Sequence, residues 1–136
     1  MSIAPHVWRR IFLFKGVYNV AVSLVMLLWT AKLLPLLGAP AGNLAYPLLF
    51  LWVALGCGAG YLIVGCDLER NHGVVVVGII GQAGVFGVLT RYWLEGSVYA
   101  TGLIFGFVDL AFAFAFAIFL WTYAYRTPSE KLVRVE

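Results

Sequence analysis

The chain has 136 residues, 63% of them hydrophobic and 11% charged, with a mean hydropathy of +0.97. A soluble domain is about 45–50% apolar and about 25% charged, and a small one has no interior large enough to hide the excess. This composition excludes a soluble enzyme, a disordered tail and a nucleic-acid binder; the net charge of +3 rests on only nine Lys and Arg, placed at the ends of apolar runs rather than on a phosphate-binding face.

A bilayer core of about 30 Å needs about 20 apolar residues in helical form. Four runs meet that need: 11–34, 44–64, 73–89 and 98–123. Lys15 and Asn19 interrupt the first, and Pro35 follows it. The third is short and Gly-rich, and the fourth is the longest and most apolar. The connections are too brief for a soluble domain. The pattern predicts an all-α, antiparallel four-helix transmembrane bundle, one membrane domain with a short cytoplasmic tail at 124–136. Trp8, Trp29, Tyr46, Trp93, Tyr99, Trp121 and Tyr125 fall near the span boundaries, where amphipathic rings prefer to sit. Trp52 and Tyr61 lie deeper and read as packing residues.

Orientation follows from the cations. The N-terminus, the 65–72 loop and the C-terminus carry Arg9, Arg10, Lys15, Arg70, Arg126, Lys131 and Arg134, against Lys32 and Arg91 on the other side. Seven against two places both termini in the cytoplasm, in a multi-pass protein of the cell's inner membrane. The stretch from Trp8 to Lys15 looks somewhat like a twin-arginine export signal, with Ala39-Pro40-Ala41 as a cleavage site. The apolar run is too long for a signal peptide, so it reads as a cytoplasmic anchor leading into a span.

Catalytic and metal chemistry is sparse. Cys57 and Cys66 are nine residues apart on one predicted helix, about 13 Å by the helical rise and too far for a disulfide. They read as buried thiols acting as small hydrophobes. His6 and His72 lie at span ends, too shallow to clamp a haem. With Asp67 or Glu69 they offer only a weak surface site, short of the three or four supported ligands a metal centre needs. No nucleophile elbow, phosphate-binding loop or zinc-protease helix occurs, and no metal or cofactor is expected.

Asp109 is the most informative residue. It lies near the middle of the fourth span, where a carboxylate is expensive and avoids lipid. Gly102, Gly106, Asp109 and Ala113 recur at i, i+4, i+7 and i+11 and so share one face, which includes a Gly-x-x-x-Gly motif for close helix approach. Phe107, Phe112, Phe114, Phe116 and Phe119 spread over the remaining surface. Asp109 is therefore expected to point into a tight helix contact. Asn19, about 13 Å along the first helix, and Gln82 in the third lie at matching depth. Lys15 and Tyr18 flank Asn19, and Lys15 either reaches toward this layer or snorkels to the cytoplasm. Asn19, Gln82 and Asp109 form a candidate polar layer. It serves either interhelical register, at about 0.6–2 kcal/mol per bond, or a protonatable site coupled to a ligand.

Glycines concentrate in the second and third spans. Gly78, Gly81 and Gly84 flank Gln82; they read as helix-packing positions, the commoner use, or as room for a flat ligand. The loop Cys66-Asp67-Leu68-Glu69-Arg70-Asn71-His72 is the densest charged stretch between spans. It is a solvated turn or, through Asp67, Glu69 and Arg70, a docking site for a partner.

Gly60-Tyr61, Asp67 and Arg70, Val77-Gly78-Ile79 with Gly81-Gln82, and Asp109 followed by Phe112 resemble a scattered group of small bacterial four-helix membrane proteins, DoxX-like in size and layout. The resemblance spans 60–120 and implies a fold but no activity. In that group a Pro often follows the loop Asp and a Lys often stands at the place of Gln82; here Leu68 and Gln82 occupy those places. The expected role is non-catalytic: an integral membrane protein acting by helix packing, as an accessory subunit or homo-oligomer among membrane lipids. The alternative is a site for a lipid, quinone or proton-coupled substrate in the polar layer.

Overall fold

A computed structural model describes residues 3–38 and 42–124. Residues 39–41, which carry the cleavage-site-like sequence, Tyr125, the basic residues Arg126, Lys131 and Arg134, and the tail beyond residue 124 lie outside the described residues. The elements are α1 (Pro5–Leu33) with a 3-10 turn (Leu34–Leu37), α2 (Ala45–Cys66), α3 (His72–Leu94), and α4 (Ala100–Phe119) with a π turn (Leu120–Ala124). There is no strand among the described residues. All four helices are long and apolar enough to cross a membrane. The chain is an all-α protein with the make of a multi-pass membrane protein.

Local chemistry sets the helix ends. Pro5 occupies the first turn of α1, where its missing N–H costs nothing. Pro35 lies in the first turn of the 3-10 segment, and the helical path stops at Gly38, whose φ of 80° is the left-handed conformation that suits a helix terminus. Asn71 (φ 63°) and Gly96 (φ 72°) make the other two left-handed turns. Trp29 departs from helical geometry at φ −124°, ψ 26° and kinks α1. Two boundaries differ from the sequence reading. The first helix starts at Pro5 rather than residue 11, because Trp8 and Phe12 turn inward and are buried. The third runs to Leu94 rather than 89, with Arg91 Nε 2.9 Å from Glu95 Oε1 across its last turn.

Helix α1 lies along α2, and α3 along α4, while α2 and α3 touch much less. Glycine makes the first contact close. A Cβ on Gly16 would stand 2.7 Å from the Leu62 side chain, and one on Gly58 would stand 3.0 Å from Asn19 Cβ and from the Val20 backbone nitrogen. Gly65 receives Leu13 in the same way. In the second pair, Gly106 accepts Leu89 and Phe86.

An aromatic cluster fills one end of the bundle. Phe12 stacks on Phe116 at 4.5 Å and meets Phe119 edge-on at 4.8 Å. Trp8 meets Phe119 at 5.5 Å, and Tyr61 meets Phe116 at 5.0 Å. Val64 and Val75 complete this core. Edge-to-face and offset rings add about 0.5–1.5 kcal/mol per pair beyond the area they bury. Several expectations change here. Trp8 is a buried core residue, not an interfacial one, and Phe116 and Phe119 belong to the core while Phe107 and Phe114 stay outside. Trp52 faces outward at 63% exposure, whereas Tyr61 packs inside.

Candidate functional site

Lys15 and Asp109 meet above the aromatic core. Lys15 Nζ lies 2.5 Å from Asp109 Oδ1 and joins α1 to α4. The Lys15 side chain has no exposed surface, and its ammonium lies 5.0 Å from the Tyr18 ring centre and 4.9 Å from that of Phe112. Asp109 and two ring faces thus replace water around the cation. Both charges are costly in a membrane interior, and pairing them offsets part of that cost. Lys15 turns into the bundle and does not snorkel.

A second polar contact joins α3 to α2. Gln82 Nε2 donates to the Tyr61 hydroxyl at 2.9 Å. That hydroxyl lies so close to Gly78 that a Cβ there would stand 2.5 Å from it, so the contact requires glycine. Gln82 Oε1 is buried without a partner. No hydrogen bond joins Asn19, Gln82 and Asp109 to one another: the expected layer is two separate pairs, Lys15–Asp109 and Gln82–Tyr61. Tyr61 is the residue sequence reasoning missed as a polar partner. Its signal is general, because a buried tyrosine hydroxyl usually finds a hydrogen bond.

Beyond these pairs the bundle opens. A cavity of about 630 Å³ lies among the four helices. Tyr18, Asn19, Tyr61, Gln82 and Asp109 line its inner end. Its walls are apolar, with Val53 and Ala54 from α2, Val85 and Leu89 from α3, and Phe105 from α4. It extends toward Leu37 and Val98 at the opposite end of the bundle from the aromatic core. There the rim is tied by the Tyr99 N–H donating to Leu37 O at 3.1 Å and Thr101 Oγ1 donating to Leu36 O at 3.2 Å. Asp109 therefore does not sit in a tight helix contact, because the volume beside it is open. Gly81 and Gly84 also differ from their expected packing role. They line the cavity, and a Cβ on either would meet nothing within 4 Å. Gly102, Gly106 and Ala113 are buried; Gly102 lies against Val98 of the connection before α4 and Leu37 O, and Gly106 against α3.

The charged loop is organised locally. Asp67 Oδ1 accepts the Glu69 N–H at 3.1 Å, and Arg70 Nε lies 3.5 Å from Asp67 Oδ2. His72 Nε2 lies 2.8 Å from Leu68 O, and its ring stands edge-on to Phe119. Arg9 donates from Nε to Gly65 O at 3.0 Å and from Nη2 to Cys66 O at 3.4 Å. It thereby satisfies carbonyls at the end of α2 that no helical N–H can reach. Cys66 is exposed at that end rather than buried, and Cys57 is half-buried beside the cavity. No group of three His, Cys, Asp or Glu side chains gathers as metal ligands among the described residues.

Fold and site together define a multi-pass four-helix protein with a polar-floored cavity. No protein-family model, curated protein or solved structure matches the chain.

Proposed function

We propose that the protein is a non-catalytic membrane protein that binds one small lipid-soluble molecule inside the bundle. The observation that supports this is the cavity. Its volume falls within the range of about 300–1,000 Å³ usual for ligand sites, which pair apolar walls with a few placed polar groups. The apolar body of the ligand lies along Val53, Val85 and Phe105, and its polar end meets Asp109, Gln82 and Asn19. The setting proposed is the cell's inner membrane, with helices antiparallel and both termini cytoplasmic, from the bias of the basic residues. The likeness to DoxX-sized four-helix proteins fits this layout and adds no activity.

A second reading, an accessory subunit or homo-oligomer, draws on the outer face of α3. Gly87 is exposed there with no neighbour in reach of a Cβ, a position at which another helix can pack closely. Native mass spectrometry of the protein extracted gently from its own membrane separates the two. A monomer carrying one small bound mass supports the binding role. A stable complex without such a mass supports the subunit role and overturns the first.

A further inference from the structure

The two members of the Lys15–Asp109 pair are not equally placed toward the cavity. Asp109 lines it and keeps 21% of its side chain exposed. Lys15 is absent from the lining and has no exposed surface. A molecule arriving at the inner end therefore meets a carboxylate oxygen, a hydrogen-bond acceptor, with the cation sealed behind it. Asp109 Oδ1 is engaged by Lys15, and no donor among the described residues reaches Oδ2.

Charge and hydrogen bonding then select the head group. The pair is neutral as a unit, so a cationic head would lose its hydration without gaining a net counter-charge. An anionic head would meet the carboxylate first, with Lys15 out of reach. An uncharged donor avoids both costs and forms a charge-assisted hydrogen bond. We propose that the cavity selects an uncharged amphiphile whose polar end donates a hydrogen bond, a hydroxyl above all, over carboxylate, ammonium or acceptor-only analogues. This rests on the binding role proposed above and names the class of ligand for it.

Four radiolabelled probes sharing one dodecyl chain test the inference: dodecanol, dodecyl methyl ether, dodecanoate and dodecyltrimethylammonium. Each is titrated against the full chain in lipid nanodiscs, with empty nanodiscs subtracted. Dodecanol is expected to bind at least about tenfold more tightly than the ether, the worth of one hydrogen bond to a charged group. The two charged probes are expected to bind no better than the ether. A double variant, Lys15→Met with Asp109→Leu, replaces the ion pair by apolar side chains of similar size, an exchange that buried pairs commonly tolerate. It is expected to bind alcohol and ether alike. Equal binding of alcohol and ether by the unaltered protein overturns the inference and leaves the binding role standing, as does preference for either charged probe. An alcohol preference that survives in a folded double variant also overturns it. Failure of every probe to bind overturns the binding role itself. If the double variant does not fold, the four-probe comparison on the unaltered protein decides.

Discussion

Asp109 stands between Lys15 and the cavity. The ammonium lies 2.5 Å from Asp109 Oδ1 with none of its side chain exposed, while Asp109 keeps 21% of its own exposed and lines the open volume. Removing the two partners one at a time should therefore have unequal consequences. Asp109→Leu leaves a buried, unpaired ammonium, whereas Lys15→Met leaves a carboxylate with partial access to the cavity. Breaking a buried pair costs about 3–5 kcal/mol. Asp109→Leu is expected near the top of that range and Lys15→Met near the bottom, with the double replacement recovering most of the loss. Thermal unfolding of the four proteins in one detergent gives the cycle. Equal losses for both single variants would contradict the asymmetry.

The aromatic core should carry a large share of the stability. Phe12 and Phe116 stack with no exposed surface. Phe116→Ala is expected to cost about 3–5 kcal/mol. Phe114, two residues earlier and 63% exposed, should cost under about 0.5 kcal/mol on the same change. Comparison of the two melting temperatures checks this.

Glycines on α2 and α3 should respond in opposite ways. Gly58→Ala drives a methyl group to 3.0 Å from Asn19 Cβ and from the Val20 backbone, and overpacking of that kind costs about 1–3 kcal/mol. Gly84→Ala meets nothing within 4 Å and should leave the melting temperature unchanged. A loss at Gly84 comparable to that at Gly58 would contradict the open space that the cavity leaves beside it.

Gly81 offers a way to close the cavity without disturbing the helices. It lines the volume and has no neighbour within reach of a Cβ. Gly81→Phe is expected to fold normally and to lose any small molecule that accompanies the unaltered protein. The bound mass and the melting curve, measured on the same sample, check the two halves of the claim. Retention of the ligand at full occupancy would move the site elsewhere.

The four spans were legible because hydropathy and length are properties of contiguous sequence. Asp109 was legible as important because a carboxylate deep in an apolar run requires an explanation wherever it points. Its partner was harder to read. Lys15 lies 94 positions away, and the choice between snorkelling and pairing depends on what lies across the bundle. The glycines show the same limit. Gly58 and Gly84 look alike in sequence, and only the approach of α1 to one and the open space beside the other distinguishes them. Tyr61 read as packing because its ring does pack, on Phe116, while its hydroxyl serves Gln82. The cavity was hinted at only by the glycines around Gln82; its extent was not legible, because a void is defined by side chains that fail to meet.

The stacked rings at the base of the cavity have a consequence for rigidity. Tyr61 forms part of the cavity floor and also packs on Phe116, which packs on Phe12 in turn. The floor is thus braced from behind by the most tightly buried part of the molecule. The hydroxyl that Gln82 holds cannot shift without disturbing that stack, so the polar end of the cavity is a fixed point while its apolar walls are free to give.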